Sequence, residues 1–266
     1  MSSVPKKSDR QLLWAEEFDF PNGLNPKNWS FDLGDGTEKG IPGWGNNERE
    51  YYTEDSVDTD NGLTITAQRT DIHHAPEAYY GPAEWTSGKI HTAGKLGFKY
   101  GYFEFKAKMP AGGGTWPAIW MLGESISEIP WPTCGEIDIF EGAGNRPLVV
   151  QGTLHGPGYS ADKGITTTIS QTKELSEDFH TIGLLWQENR IEWFFDDISY
   201  FTLDTDHPQF KDSDWVFNNP FYLIINLAMG GWFAGDIAPD LHSANLQVKS
   251  IHFYSIDGVG ELIRHK

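Results

Sequence analysis

Residues 134–144 read CGEIDIFEGAG, a run of apolar residues interrupted by three carboxylates. The carboxylates are Glu136, Asp138 and Glu141. Their apolar neighbours indicate a strand that packs against a core, because side chains alternate between the two faces of a strand. The spacing of the carboxylates is two residues and then three, and a regular strand does not place such a set on one face.

The uneven spacing has two interpretations. In a regular strand Glu136 and Asp138 share a face, and Glu141 points to the opposite face, into solvent. A one-residue bulge between Asp138 and Glu141 shifts the phase and returns Glu141 to the face of the other two. The adjacent apolar residues Ile139 and Phe140 mark the position of such a bulge. The residues alone leave both arrangements open.

Three carboxylates on one confined face disfavour each other's ionisation, and acid–base catalysis uses the resulting separation of pKa values. Two carboxyl groups about 5–5.5 Å apart, flanking a glycosidic bond, hydrolyse that bond with retention of configuration. Calcium is the other use for such a cluster, but it takes roughly six to eight oxygen ligands. A single straight strand supplies no enclosing loop, so we favour catalysis over metal binding.

Alternating or aromatic-rich segments recur along the chain, and turn residues bound them. The segment FYLIINLAMGG (221–231) is apolar throughout, as expected of a central strand covered on both faces. Short helical turns are expected near 174–179 and 207–214. We predict one all-β domain, a sandwich of two antiparallel sheets. Its predicted strands include 62–69, 101–109, 181–187, 190–197 and 246–254, with a hairpin turn at 187–190.

The formal net charge of the 266 residues is −18. A surface of this sign repels nucleic acids, anionic membranes and sulfated polymers, and it permits a neutral partner. No stretch approaches the roughly 20 apolar residues that span a membrane, and no secretory leader is visible in the first 18 residues.

The single cysteine, Cys134, is interpreted as a packing residue, because the carboxylates beside it disfavour a thiolate.

The segment GEIDIFE (135–141) resembles the E-x-D-x-x-E signature of glycoside hydrolase family 16, in its bulge-containing form. The similarity extends from LLWAEEFD (12–19) to SIHFYSI (250–256). It implies a β-jelly-roll sandwich with a concave substrate cleft. Residues 1–266 would form a single catalytic domain, with a flexible tail at 1–10.

The same resemblance implies roles for the three carboxylates in a retaining mechanism. Glu136 would be the nucleophile, Glu141 the acid/base and Asp138 the assisting carboxylate. The segment GTLHGPGYSADKGIT (152–166) matches the family strand that brings a histidine beside the acid/base, so His155 is expected opposite Glu141.

Sugars present flat apolar faces and hydroxyl edges, so a glucan cleft needs aromatic platforms with polar side chains beside them. Three segments match the laminarinase branch of the family and supply such residues: 41–50, 114–123 and 229–235. Core packing is the alternative for each tryptophan. The predicted substrate-binding residues are Trp44, Asn46, Glu48, Lys89, Trp116, Trp120, His155, Trp232 and Phe233.

Three positions depart from the family pattern. Lys89 replaces the usual arginine, which keeps the charge and loses the bidentate geometry. Phe233 occupies the usual tryptophan position of its loop, and a tryptophan precedes it. Many relatives bind a structural calcium through the carbonyl that matches Gly62 and an aspartate in the last strand, where this chain has Lys249. We therefore expect no calcium, and no cofactor is required.

The resemblance implies an endo-β-1,3-glucanase that hydrolyses laminarin-type glucans, with mixed-linkage β-1,3-1,4-glucan as a second substrate. A transglycosylase on the same scaffold and a non-catalytic β-glucan-binding protein are the alternatives. We expect a monomer whose partner is a neutral β-glucan, with no nucleic acid or membrane partner. From a polysaccharide substrate we expect an extracellular protein. No leader is visible in the sequence, and an intracellular location is the alternative.

Overall fold

The computed structural model describes residues 3–21 and 23–266. Within these ranges the chain forms 21 β-strands, seven short 3₁₀ helices and one α-helical turn. The strands are β1 (Arg10–Glu16), β2 (Ser30–Phe31), β3 (Glu50–Tyr52), β4 (Val57–Asp58), β5 (Leu63–Arg69), β6 (Glu77–Ala78), β7 (Gly81–Pro82), β8 (Trp85–Ser87), β9 (Lys89–His91), β10 (Leu96–Lys99), β11 (Gly101–Lys108), β12 (Thr115–Gly123), β13 (Glu136–Glu141), β14 (Val149–His155), β15 (Ile165–Ser170), β16 (His180–Gln187), β17 (Arg190–Phe195), β18 (Ile198–Asp204), β19 (Phe221–Met229), β20 (Ser243–Ile256) and β21 (Glu261–Arg264). The 3₁₀ helices are Lys7–Asp9, Thr37–Lys39, Pro42–Gly45, Glu54–Ser56, Glu124–Ser127, Ala161–Lys163 and Pro208–Phe210, and the α-helical turn α1 is Gly231–Ala234.

Two large sheets pack face to face. The first has the order β18-β17-β16-β11-β20-β5-β8-β3, with β1 beside β20 and β4 beside β5. The second has the order β15-β14-β13-β12-β19-β10-β21, with β9 beside β19 and β2 beside β9. Pairing is antiparallel in both sheets, apart from the parallel pair β3 and β8 at one edge of the first. The predicted all-β sandwich of two antiparallel sheets is confirmed.

Aromatic side chains fill the space between the sheets. Phe98 of the second sheet contacts Phe103 and Phe253 of the first, with ring centres 4.9 and 5.1 Å apart. Each fully buried aromatic side chain stabilises the fold by about 1.5–3 kcal/mol relative to an exposed one. Both sheets contribute to this core, so the face of the second sheet that points away from it rests on a close-packed base.

Strand β13 contains the bulge that the carboxylate spacing suggested. Its register with β14 shifts between Asp138 and Glu141, and its register with β12 shifts at the same place. Ile139 and Phe140 occupy the shift, and both are buried in the core. The extra residue returns Glu141 to the face of Glu136 and Asp138. The bulge is confirmed, and the interpretation that Glu141 points to the opposite face is wrong.

The first sheet supports the bulge from below. The indole Nε1 of Trp193 donates a hydrogen bond to the backbone oxygen of Asp138 at 2.9 Å. Gly152 lies opposite the bulge on β14, and a Cβ there would lie 2.8 Å from Trp193 Cδ1 and 2.9 Å from the Tyr200 hydroxyl. The absence of a side chain at Gly152 therefore lets Trp193 reach the bulged backbone.

The predicted strand segments correspond to β5, β11, β16, β17, β19 and β20, and the hairpin turn between β16 and β17 is confirmed. Of the two expected helical turns, residues 174–179 form turns and bends without a helix, and 207–214 contains the 3₁₀ helix Pro208–Phe210.

Where the structure describes it, the N-terminal segment lies against the first sheet, which differs from the expected flexible tail at 1–10. Ser3 forms a bridge with Ile198. Arg10 begins β1, and its guanidinium group is paired with Glu104 at 2.8 Å. These contacts give the segment partners that sequence patterning does not show. Met1 and Ser2 lie outside the described residues.

We predict that Gly152→Ala lowers the free energy of unfolding by about 1–3 kcal/mol, because the added methyl group overlaps Trp193 and Tyr200 in a packed core. Urea denaturation measures the loss. Gly113→Ala is the matched control, since a Cβ there meets its nearest atom, Ala238 Cβ, at an ordinary 3.6 Å. Equal midpoints for the two variants would contradict the role of Gly152 in making room for Trp193.

Candidate active site

The three carboxylates of β13 lie on the face of the second sheet that points away from the core. Their cross-strand neighbours on β12 and β14 point the same way, because paired residues of an antiparallel ladder share a face. These neighbours are Leu122 and His155 beside Glu136, Trp120 and Thr153 beside Asp138, and Ala118 and Gln151 beside Glu141.

Glu136 occupies the first carboxylate position. Trp131 Nε1 donates a hydrogen bond to Glu136 Oε2 at 2.6 Å, and His155 Nε2 lies 3.9 Å from Glu136 Oε1. Burial and the neighbouring charge of Asp138 raise the pKa of Glu136 from its ordinary value of 4.5 to about 8. Glu136 therefore ionises most easily when Asp138 and Glu141 are protonated and add no negative charge beside it.

Asp138 is the most enclosed of the three, with 3% of its surface exposed. Its carboxyl group is within hydrogen-bonding reach of Glu136, and its Oδ2 lies 3.2 Å from His155 Nε2. Burial, followed by the charge of Glu141, holds the pKa of Asp138 well above its usual range. A proton on either Asp138 or Glu136 gives the other carboxylate a hydrogen-bond donor.

Glu141 receives two hydrogen bonds. Trp116 Nε1 donates to Glu141 Oε1 at 3.0 Å, and Gln151 Nε2 donates to Glu141 Oε2 at 3.4 Å. Burial raises the pKa of Glu141, and the Trp116 hydrogen bond opposes part of that rise. Glu141 and Glu136 thus stand on either side of Asp138, each oriented by its own indole donor.

His155 lies in a different place from the one expected. It pairs with Glu136 across β13 and β14, and its Nε2 is closest to Asp138. The residue opposite Glu141 is Gln151. The expected position opposite Glu141 is therefore wrong, because the antiparallel register carries His155 to the far end of the acidic row.

Two aromatic side chains flank the site on the Glu141 side. The rings of Trp116 and Phe233 stack with centres 4.9 Å apart and an interplanar angle of 27°. The guanidinium carbon of Arg146 lies 4.6 Å from the centre of the Phe233 ring. The preceding residue, Trp232, is 78% exposed and projects into solvent. Of the two predicted aromatic residues of this turn, only Phe233 stacks beside the carboxylates.

A second aromatic group surrounds Lys89 on β9. Its Nζ lies 3.8 Å from the centre of the Trp44 ring and 5.3 Å from that of Trp120. Asp32 Oδ2 is 3.5 Å from the same Nζ. Burial lowers the pKa of Lys89, and the charges of Asp32 and Glu48 oppose that effect. Trp44 is buried as well, so it supports Lys89 with most of its surface covered.

A chain of hydrogen bonds connects this region to the catalytic row. Glu48 accepts from Asn46 Nδ2 at 2.9 Å and from the Tyr52 hydroxyl at 3.3 Å. Asn226 Nδ2 donates to the Tyr52 oxygen at 3.0 Å. Trp120 Nε1 in turn donates to Asn226 Oδ1 at 2.7 Å. Trp120 is the strand neighbour of Asp138, so this chain of hydrogen bonds ends beside the acidic row.

Several residues of the site were not predicted. Trp131 belongs to the loop directly before β13, and its role depends on a loop conformation that has no periodic pattern. Gln151 had a readable signal, because it lies four residues before His155 and so on the same face of a strand. Asn226 and Asp32 reach the site only through pairing with distant strands.

The structure also locates the candidate metal ligands. One cluster in the described part of the chain, Glu136, Asp138 and His155, has ligating atoms within 4.8 Å of one another, and these groups already pair with each other. On β20 of the first sheet, Lys249 is exposed near Gly62, and its Nζ lies 4.3 Å from the centre of the Phe179 ring. An ammonium group cannot serve as a calcium ligand. The absence of calcium stays a prediction.

Cys134 is buried in a small cluster with Leu122 and Ile224. Burial and the charge of Glu136 raise the pKa of its thiol to about 11. A thiol in that state is a poor nucleophile, which agrees with its interpretation as a packing residue.

An all-β sandwich with a buried carboxyl group between two others, among tryptophans, has the composition of a glycoside hydrolase site. Residues 45–249 match the family model described as glycosyl hydrolases family 16, and the chain belongs to that family. None of the helices in the described ranges has the length and apolar character needed to cross a bilayer.

Three similar proteins carry the names of glucan- or glycan-degrading enzymes. The laminarinase catalytic domain from Thermotoga maritima superposes with a TM-score of 0.88 at 40% identity, covering 93% of this chain and 98% of that one. The β-glucanase of Rhodothermus marinus is 35% identical over 255 residues, 92% of this chain and 85% of that protein. The endo-1,3-1,4-β-glycanase EglC of Rhizobium meliloti is 33% identical over 83% of this chain and 46% of its own length. The jelly-roll form of the sandwich follows from these relatives.

We predict that Glu136→Gln stabilises the protein, and increasingly so as pH rises from about 4.5 to 8. In that window the unfolded chain releases the proton of Glu136 while the folded protein retains it, so the wild-type protein loses stability with rising pH. Glutamine does not titrate, and we expect the variant's advantage to grow by at least about 1 kcal/mol across the window.

Thermal unfolding at the two pH values measures the difference. Glu261→Gln, at an exposed position, is the control and should show no such change. A stability difference between Glu136→Gln and the wild type that stays constant with pH would contradict the raised pKa of Glu136.

Proposed function

We propose that the protein is a retaining endo-β-1,3-glucanase that hydrolyses laminarin-type β-glucans. The observation that carries the proposal is the bulged strand, which puts Glu136 and Glu141 on one face with Asp138 between them. The names of the relatives support the choice of a β-1,3-glucan. The covalent intermediate of such a reaction needs one carboxylate nucleophile and one carboxylic acid, and each has a distinct environment here.

In the first step, Glu141 protonates the glycosidic oxygen while the carboxylate of Glu136 attacks the anomeric carbon. The elevated pKa of Glu141 keeps its proton available for donation. A glycosyl ester forms on Glu136 and the leaving chain departs. In the second step, Glu141 removes a proton from water, and the water oxygen displaces Glu136 from the anomeric carbon with a second inversion, so that the configuration is retained.

Asp138 assists by holding a proton next to Glu136. A hydrogen bond from protonated Asp138 orients the nucleophile and stabilises its negative charge before attack. His155, 3.2 Å from Asp138 Oδ2, sets the position of that carboxyl group from β14. We assign His155 to this positioning task, since it lies on the nucleophile's side of the row.

The glucan would lie along the face of the second sheet, across the acidic row. Trp116 and Phe233 offer stacking surfaces on the Glu141 side, where Asn46 and Glu48 adjoin Trp116 around Gly231. Trp120, Trp44 and Lys89 form the second group of indole and polar side chains. Neutral sugars suit a protein of net charge −18.

Mixed-linkage β-1,3-1,4-glucan is a second substrate in this proposal. We also propose that the protein acts as a monomer outside the cell and needs no calcium.

We predict that Glu136→Gln and Glu141→Gln each lower kcat on laminarin by at least about a thousandfold. An aryl β-glucoside oligomer whose leaving group needs no protonation separates the two roles. On it Glu141→Gln should form the glycosyl-enzyme, and added azide should yield a β-glycosyl azide, whereas Glu136→Gln should do neither. Proton NMR of the first wild-type product should show the β anomer. Near-normal turnover by either variant, or an α anomer, would exclude the mechanism.

Reducing-sugar release from a panel of polysaccharides tests the substrate. We expect the fastest release from laminarin, slower release from lichenan, and none from carrageenan, because sulfate groups are repelled by the acidic protein. Sizing of the products separates hydrolysis from transglycosylation. Oligosaccharides that grow in length would show a transglycosylase, and binding without release would show a glucan-binding protein.

A further inference from the structure

Glu50, at the start of β3, is a fully buried carboxyl group outside the catalytic row. None of its surface is exposed. Its Oε2 accepts a hydrogen bond from the Met229 backbone amide at 2.7 Å, and its Oε1 lacks a hydrogen-bond partner among the described residues. The carboxyl group of Glu48 lies within hydrogen-bonding reach. Two carboxyl groups in contact at a buried point cannot both be ionised without a large cost.

This contact joins the two chain segments that border the Trp116 side of the site. One segment, 42–49, ends at Glu48 and Arg49, and the other, 230–235, begins directly after Met229. Backbone bonds run between them, from the Arg49 amide to the Met229 oxygen at 2.9 Å and from the Trp232 amide to the Asn46 oxygen at 2.9 Å. From the interior, the Glu50 carboxyl group reaches Glu48 of the first segment and the Met229 amide, directly before the second segment.

The charged groups around Glu50 favour its neutral form. Glu48 adds negative charge, and the hydroxyls of Tyr52 and Tyr80 are held in their neutral forms by burial, which raises the pKa of each. The cations around Glu50 face other partners. The Arg49 guanidinium lies over the ring of Tyr80 and pairs with Glu84 at 2.6 Å, the Arg69 guanidinium lies over the ring of Trp85, and Lys89 lies against Asp32. Burial and the charge of Glu48 hold the pKa of Glu50 well above its usual range, and the Met229 amide opposes them only in part.

We propose that Glu50 is a positioning residue that stays protonated at neutral pH, donates a hydrogen bond to Glu48 and thereby joins the segments 42–49 and 230–235. Glu48 then keeps its two acceptor bonds, from Asn46 and Tyr52, and presents one fixed carboxylate to the sugar. This role rests on the proposed function only in naming the sugar as ligand. The proton on Glu50 and the link between the segments are properties of the protein alone.

Loss of the proton has a defined consequence. An ionised Glu50 would place a second negative charge against Glu48 and remove the donor between them, so the two carboxylates would separate and the segments would lose their shared anchor. Glucan affinity should therefore fall at alkaline pH through Glu50, even when the catalytic carboxylates take no part. Glutamine at position 50 preserves both bonds, because its amide donates to Glu48 and accepts from the Met229 amide without titrating.

The proton is tested first, with no substrate. Infrared difference spectra of wild type against Glu50→Gln at neutral pH should contain the carbonyl stretch of a protonated carboxyl group that vanishes in the variant and shifts in deuterium oxide. A difference spectrum with only carboxylate bands would overturn the proposal. If Glu50→Gln does not fold, ¹³C NMR of the Glu136→Gln/Glu141→Gln variant, labelled at the glutamate carboxyl carbon, should still show one glutamate that remains protonated at pH 8, and a spectrum without it would overturn the proposal.

Binding is tested in a Glu136→Gln background, which keeps the ligand intact. Calorimetry with a laminari-oligosaccharide should show about a tenfold loss of affinity between pH 7 and pH 10, and less than about a threefold loss when Glu50→Gln is added. Glu50→Leu, which removes donor and acceptor at similar volume, should weaken binding about tenfold already at pH 7. Glu261→Gln serves as the control in the same background.

The outcomes separate this proposal from the proposed function. Equal pH dependence with and without Glu50→Gln would overturn the role of Glu50 while leaving the glucanase mechanism intact. If no laminari-oligosaccharide binds at all, the proposed function fails, and the infrared result still decides whether Glu50 holds its proton.

Discussion

The hydrogen bond from Trp193 of the first sheet to the backbone of Asp138 supports the one irregularity on which the site depends. That irregularity is the bulge of β13, which requires Ile139 and Phe140 to enter the core together and Gly152 to leave room for the indole. Without it, Glu141 would face away from Glu136, and the pair of carboxyl groups that a retaining mechanism needs would not exist. The aromatic core therefore supports the catalytic arrangement, because Trp193 and the buried side chains of Ile139 and Phe140 hold the extra residue of the strand in place.

The electrostatics of the site oppose stability. Burial and mutual repulsion raise the pKa values of Glu136, Asp138 and Glu141, and a folded protein that must retain these protons is less stable at neutral pH than one with glutamines there. Catalysis requires that condition, because protons shared within a crowded row can be moved between a nucleophile and an acid. Indole donors of Trp131 and Trp116 limit the cost and orient the two ends of the row.

The same principle operates twice along one polar network. In the proposed mechanism and in the proposed role of Glu50, the more enclosed member of a carboxyl pair holds a proton for the other: Asp138 for Glu136, and Glu50 for Glu48. One pair lies at the reacting centre and the other at the segments that border it, and the bonds through Tyr52, Asn226 and Trp120 extend from Glu48 to the strand beside Asp138. Protonated carboxyl groups thus act as hydrogen-bond donors in the chemistry and in the proposed positioning of the ligand.

Local pattern in the sequence determined the strand segments, the two-sheet class and the three carboxylates, because alternation and turn residues are encoded over a few positions. It also indicated the bulge, since carboxylates spaced by two and then three residues share a face of a strand only when an extra residue shifts the phase between them. It did not determine whether Glu141 joined its neighbours, where His155 would lie, or that Trp232 is exposed while Phe233 stacks on Trp116. Those outcomes were decided by the tertiary structure, because strand register, the contact of Trp193 with the bulge and the loop carrying Trp131 depend on residues far apart in the chain.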